Sequence, residues 1–240
     1  MNFPVILKVR TGSWCHGTEM PGSDEDIRGI CIPPIDYFLG VKKFEQFEDK
    51  ENDVVIYGIE KFINLTCKGN LSALNFLFVD SKDIRECSEY GKRLIFFRNE
   101  FLSMRTINNI FGFVKSQIHK MGRSHGDCGN RKDLIDKYGY DTKFAYHAVM
   151  LTNIGIELLK TNTYHPLRPP KEQQHLKQIR IGIIKYDEVM AEIGQNLTTM
   201  KTLESLCGLP KECNKEKISD FMVEFLKDYF GIMKYEKGAG

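Results

Sequence analysis

Gly12-Ser13 and, ten intervening residues later, Asp24-Glu25-Asp26 are the residues whose types and spacing suit chemistry best. Two carboxylates one residue apart, just past a Gly-Ser turn, are what a chain needs to hold magnesium or manganese against a triphosphate. If residues 22–28 run as a strand, Asp24 and Asp26 project from one face, because side chains alternate with period two. Two anionic oxygen ligands then point at one site, the chemistry that hard divalent ions prefer. Gly12-Ser13 adds a tight turn and free backbone N–H groups for anionic oxygens. Acidic pairs beside turns also occur on plain solvated surfaces, so a partner acid is needed.

Transfer of a nucleotide uses two metals about 4 Å apart, held by two bridging carboxylates and a third from another strand. Asp53, opening a predicted strand, is the expected third acid, with Glu51 as the fallback. Glu25 faces the other side and is left out. Asp24, Asp26 and Asp53 are therefore the expected catalytic and metal-binding residues. Lys143 and His147, spaced i, i+4, share one helix face and either suit phosphate oxygens or are a semi-buried satisfied histidine beside a solvated lysine. Arg28, just past Asp26, either touches a phosphate or pairs with a carboxylate. His16 could face a nucleotide or be polar cover, and Tyr140 could stack on a base or simply pack.

The stretch 115–132 carries Lys115, Lys120, Arg123, Arg131 and Lys132 against Asp127 alone, with His119, His125 and three glycines. It reads as a basic loop suited to an RNA backbone or a polyphosphate, or as a solvated connector. Other chemistries fit less well. His119, His125 and Cys128 have no fourth zinc ligand at a suitable spacing, Cys15 and His16 are neighbours only in sequence, and no Walker or dinucleotide fingerprint occurs.

The elements that must position these residues follow from periodicity. Residues 4–10 are a strand or the end of a short helix. Ile27–Ile32 is a strand stopped by Pro33-Pro34, and 36–48 is a loop leading into an acidic linker. Asp53–Tyr57 is a strand, Ile59–Cys67 a helix closed by Gly69, and Leu71–Phe78 a helix. Beyond residue 88 the pattern turns helical: Phe101–His119, Thr142–Leu159, Lys171–Gly182, Tyr186–Leu197 and Ile218–Phe230. The stripe of Phe221, Met222 and Phe225 reads as core. The expected fold class is α+β, with a catalytic α/β domain over 1–88 and a helical nucleotide- and acceptor-binding region over 89–235, the seam lying between 80 and 100.

Composition agrees with this picture. The 240 residues are 42% hydrophobic and 28% charged with a net charge of +2, enough apolar content for a core. Seven scattered cysteines, an odd number without a Cys-x-x-Cys pair, suggest a reducing cytoplasmic setting. The N-terminal apolar run is too short for a signal peptide, and no stretch reaches the length of a membrane span. The closing Lys237-Gly238-Ala239-Gly240 reads as a frayed or vector-derived end.

Gly12-Ser13, Gly17-Thr18, Ser23-Asp24-Glu25-Asp26-Ile27-Arg28-Gly29 and Pro33-Pro34 together resemble the DNA polymerase beta superfamily of nucleotidyltransferases. The branch they look most like is the RNA-repair-pathway DNA polymerase beta family. The likeness extends to Asp53–Tyr57 with Lys61-Phe62, to Lys68-Gly69-Asn70 before Leu74–Phe78, and to Gly139–Lys143 with His147 and Leu151. It covers most of residues 10–230. The resemblance implies a mixed sheet with flanking helices and a helical region closing over the nucleotide. It also implies metals on Asp24 and Asp26, Asp53 as the third acid, and the triphosphate at Gly12-Ser13. The chain departs from the family at Asn75, where a glutamate is common.

The expected activity is transfer of an NMP from an NTP to an acceptor hydroxyl with release of pyrophosphate, assisted by Mg2+ or Mn2+. RNA, and in particular a tRNA end, is the expected acceptor, with the 115–132 stretch as its contact. A protein hydroxyl is the alternative acceptor and a small molecule the third. A silent nucleotide- or RNA-binding module is the rival from a different class. No membrane partner is expected, and the sequence leaves the oligomeric state open.

Overall fold

The computed structural model describes residues 3–121 and 132–232. Its centre is a five-stranded mixed sheet in the order β3-β4-β2-β1-β5. The strands are β1 (Val5–Arg10), β2 (Ile27–Cys31), β3 (Gln46–Asp49), β4 (Val54–Gly58) and β5 (Ile84–Cys87). β2 and β4 run parallel, and every other pair is antiparallel. Residues 4–10, left open between strand and helix end, thus form a strand that pairs on both edges. The fold is α+β, as expected.

The parallel register pairs Ile27 with Val54, which brings the residues before them, Asp26 and Asp53, to neighbouring positions. A parallel pair requires a crossover. Here the connection holds α2 (Asp36–Leu39) and β3, in the stretch expected to be a loop. β3 was missed because its sequence, QFED, has little apolar alternation and sits on the sheet edge, partly exposed.

Helices cover the sheet and extend past it. α1 (Gly12–His16) follows β1 directly. α3 (Ile59–Cys67) starts where β4 ends, with Ile59, Phe62 and Thr66 buried along one face. α4 (Leu71–Phe78) is capped by Asn70, whose side chain accepts from the Ala73 N–H at 3.0 Å. Between them Gly69 has φ +70° and lies under the start of the next long helix, so that a Cβ there would come 2.6 Å from the Thr106 nitrogen. Only glycine combines that φ with that approach.

The remaining helices are α5 (Glu89–Phe97), α6 (Met104–Met121), α7 (Lys132–Tyr138), α8 (Thr142–Thr161), α9 (Pro170–Arg180), α10 (Tyr186–Glu204) and α11 (Lys215–Tyr229). α8 is buried on most of its surface and packs against α6, α9 and α10, which explains why its apolar content exceeds a single stripe. α11 returns to α5: Phe221 stacks on Phe97 with ring centroids 4.0 Å apart, and Phe225 meets Tyr90 edge-on. A continuous buried core runs from Ile6 on β1 to Phe225 on α11.

In the basic stretch Lys115 and His119 lie on α6, as the helix expected over 101–119 places them, whereas Lys120 and Lys132, expected in a loop, lie on α6, which continues through Met121, and at the start of α7. Arg123, His125, Asp127, Cys128 and Arg131 lie outside the described residues, as does the 237–240 end. No helix among the described residues is long and apolar enough to cross a membrane. The six described cysteines are all free thiols.

Candidate active site

The expected acids meet at the start of the parallel pair, but not as a strand. Residues 23–26 carry no regular secondary structure, and β2 begins only at Ile27. The backbone of Asp26 is nevertheless held: its carbonyl accepts from Thr11 N–H at 2.8 Å, and the Ile27 N–H donates to the Asp53 carbonyl at 3.1 Å. Asp53 sits in the tight turn before β4 with φ +47°, the left-handed region that aspartate tolerates better than most residues. Asp24 is placed through its main chain, whose carbonyl accepts from the Trp14 indole at 3.1 Å. The Arg10 guanidinium covers that indole, 4.3 Å from the ring centroid.

Arg28 joins the two neighbouring acids. Its Nη2 donates to Asp26 Oδ1 at 3.2 Å and to Asp53 Oδ1 at 3.0 Å. Its Nη1 donates to the carbonyls of Ile27 and Asp53 at 2.9 and 2.6 Å. Of the two roles open to Arg28 from sequence, carboxylate pairing is the one observed. Burial pushes the Asp26 carboxyl above the usual carboxylate range, and the adjoining Asp53 carboxyl adds to this. Asp53, the more exposed partner, is held below that range by its hydrogen bond with Asp26 and by Arg28.

Gly12 has φ +65° and faces Asp26; a Cβ built there would lie 1.8 Å from Asp26 Oδ2. The glycine of the Gly-Ser pair therefore makes room for a carboxylate as well as forming a turn. Gly12, Ser13, Asp24, Asp26, Arg28 and Asp53 line a cleft of about 1370 Å³. Lys143 and His147 on α8 line the same cleft, so all eight expected site residues are gathered in one space.

Several lining residues were not anticipated. Phe113 on α6 is exposed and projects away from the apolar positions 107, 110, 111 and 114, a signal present in the sequence. Arg180, at the end of α9, lies over the Tyr146 ring and donates to the Thr18 carbonyl at 3.4 Å. Its place depends on tertiary packing and leaves no local trace. Lys61 also reaches the cleft, although it pairs with Glu45.

Three other residues are buried, of which His16 and Asn75 also line the cleft while Tyr140 does not. His16 is buried, its Nδ1 within 2.9 Å of the Pro166 carbonyl, and burial pushes the imidazole down to about 4. A neutral ring with the proton on Nδ1 satisfies that geometry. Tyr140 is buried and donates to the Ile184 carbonyl at 2.6 Å. Asn75 is buried and accepts from the Tyr164 hydroxyl.

Asp24, Asp26 and Asp53 supply hard oxygen donors of the right chemistry for Mg2+ or Mn2+. Among the described residues, however, no three His, Cys, Asp or Glu side chains converge closely enough to hold an ion. Arg28 pairs with two of the three acids.

The model of the RNA repair pathway DNA polymerase beta family matches residues 1–211. No curated protein and no solved structure matches the chain.

Proposed function

The chain belongs to the RNA repair pathway DNA polymerase beta family, and from that membership we propose that it is a metal-dependent nucleotidyltransferase acting on RNA. The acceptor hydroxyl attacks the α-phosphorus of an NTP in line, and pyrophosphate leaves. The observation that carries this reading is the side-by-side placement of Asp26 and Asp53 at the start of paired parallel strands, with Gly12 against Asp26 in a shared cleft.

Asp24 and Asp26 would hold Mg2+ or Mn2+, with Asp53 as the third acid. The bound ion would supply charge neutralisation at the phosphates and a more acidic acceptor hydroxyl. The protein's own part is mainly positioning. Ser13 and the main-chain N–H groups at the start of α1 face the phosphates, and Lys143, His147 and Arg180, which line the same cleft, contribute further donors. RNA is favoured as acceptor by the family's pathway and by the excess of cations over residues 115–132.

The test is transfer of label from α-labelled NTPs to total RNA or to lysate protein, with Mg2+ or Mn2+. Labelled RNA from the wild type, lost in Asp24→Ala, is the expected result. Label appearing on protein instead would move the acceptor to a protein hydroxyl. NTP binding without transfer to any macromolecule would make the chain a binding module and refute the enzyme.

A further inference from the structure

We propose that the outward face of α6 is a track for the single-stranded end of an RNA acceptor, with Phe113 as the platform on which one of its bases stacks. The proposal deepens the reading above and rests on it, because it names where the acceptor of that cleft lies.

One stripe of α6 carries Arg105, Asn109, Gly112, Phe113, Ser116 and Lys120, spaced to share one side of a helix. The other side holds Ile107, Ile110 and Val114, which are buried in the core. From Arg105 to Ser116 the stripe runs about 17 Å, the length of roughly five stacked nucleotides at about 3.4 Å each. The main cleft, at about 1370 Å³, exceeds the roughly 300–1,000 Å³ usual for a small-molecule site. A second cavity of about 470 Å³ shares Asn108 and Asn109 with it, so the two openings adjoin along α6.

Two features of the stripe serve no packing within the described chain. Phe113 lines the cleft yet is 52% exposed and lies outside the buried core. Gly112 sits mid-helix, where glycine is less stable than alanine, and among the described residues a Cβ there meets open space. Neither close packing nor a left-handed φ calls for glycine at that position. The missing side chain leaves room for a flat group beside the Phe113 ring. Stacking of unpaired bases on aromatic side chains is a main way in which proteins grip single-stranded RNA.

The second cavity supplies charge. Lys68, Arg105 and Lys211 line it, against Glu212 alone. Glu212 is already paired with Arg105 at 2.9 Å and with Lys215 at 3.3 Å. Lys68 and Lys211 are exposed, and among the described residues they make no ion pair. The Asn109 amide donates to the Lys68 and Gly69 carbonyls at 2.7 and 3.0 Å, which fixes the Lys68 backbone against α6. A polynucleotide offers the ring a base and the further cavity its phosphates at the same time. A single NTP held at Gly12-Ser13 does not.

The experiment measures binding of a 5′-labelled single-stranded RNA of about 12 nucleotides with a free 3′ hydroxyl by fluorescence anisotropy. Calorimetry follows ATP with Mg2+ on the same proteins. Phe113→Ala should weaken RNA binding at least about fivefold and leave ATP affinity within about twofold. Gly112→Leu should fill the open space and weaken RNA binding by about tenfold without lowering the melting temperature. Joint Lys68→Ala and Lys211→Ala should reduce the slope of log K against log salt by about 1.4. Unchanged RNA affinity in both Phe113→Ala and Gly112→Leu would overturn the proposal. A parallel loss of ATP affinity in Phe113→Ala would assign the ring to the NTP and overturn it too. So would a blunt RNA duplex bound as tightly as the single strand, or a wild type that binds no RNA. If the wild type transfers label in any of those cases, only the track is refuted. RNA binding lost in the variants of a wild type that transfers no label upholds the track and refutes the enzyme.

Discussion

Asp26 Oδ2 rests against the Cα of Gly12, where a side chain's first carbon would lie 1.8 Å away. The contact ties the turn expected to face the phosphates to an acid expected to hold the metal. Gly12→Ala must both strain φ +65° and displace the carboxylate. The strain alone should cost about 1–3 kcal/mol. An ångström-scale shift of a reacting group typically costs about 100-fold in rate. Thermal melting should show the first effect and single-turnover label transfer the second, with Ser13→Ala as the milder comparison.

His16 sets a pH dependence of stability. Its folded value lies near 4, below the roughly 6.5 of an unfolded histidine. Between those values the unfolded chain binds a proton that the folded chain refuses, so stability falls as pH drops from about 6.5 toward 4. The full span is worth about 3 kcal/mol. His16→Asn keeps a donor for the Pro166 carbonyl and cannot titrate. Denaturant midpoints at pH 7 and pH 4.5 should separate less for this variant than for wild type.

Arg168 is the ionic centre of the helical region. It is buried, and it pairs with Glu157 at 2.6 Å and Glu172 at 2.9 Å. Removing one member leaves carboxylates in a poorly solvated place without compensation. Arg168→Met should destabilise the fold by about 3 kcal/mol, measured by urea unfolding. Adding Glu157→Gln should restore part of the loss, because one orphaned charge then disappears.

The basic stretch makes a prediction about salt. Changing Lys120, Arg123, Arg131 and Lys132 together to alanine should weaken RNA binding. If all four contact phosphates on a single strand, the slope of log K against log salt should fall by roughly 3, at about 0.7 per phosphate. Filter binding across a salt series measures it. Unchanged affinity would remove this segment as the RNA contact.

The sequence made the local elements readable where one period dominated. Ile59–Cys67 emerged with its observed limits because its apolar spacing ends at a glycine turn. β5 was missed because Ile-Arg-Glu-Cys is a short edge strand with two exposed residues and no clean alternation. In the site, residue types and spacing pointed to Gly12, Ser13, Asp24, Asp26 and Asp53, and the family resemblance added weight to Lys143 and His147; all seven line one cleft. They could not reveal that Arg28 bridges two acids, because residues 28 and 53 become neighbours only through a parallel register. Nor could they place Arg180, whose contacts join the end of α9 to Tyr146 on α8 and to Thr18 just past α1.

The indole of Trp14 donates to the Asp24 carbonyl beneath the Arg10 guanidinium, and it is the chain's single tryptophan. The protein therefore carries a built-in optical probe at the edge of its cleft. Light excited at the red edge of protein absorption comes from one ring, touching the segment that bears Asp24. Emission from the unlabelled chain is then a single-site signal, and any ligand that moves that segment reports its own arrival.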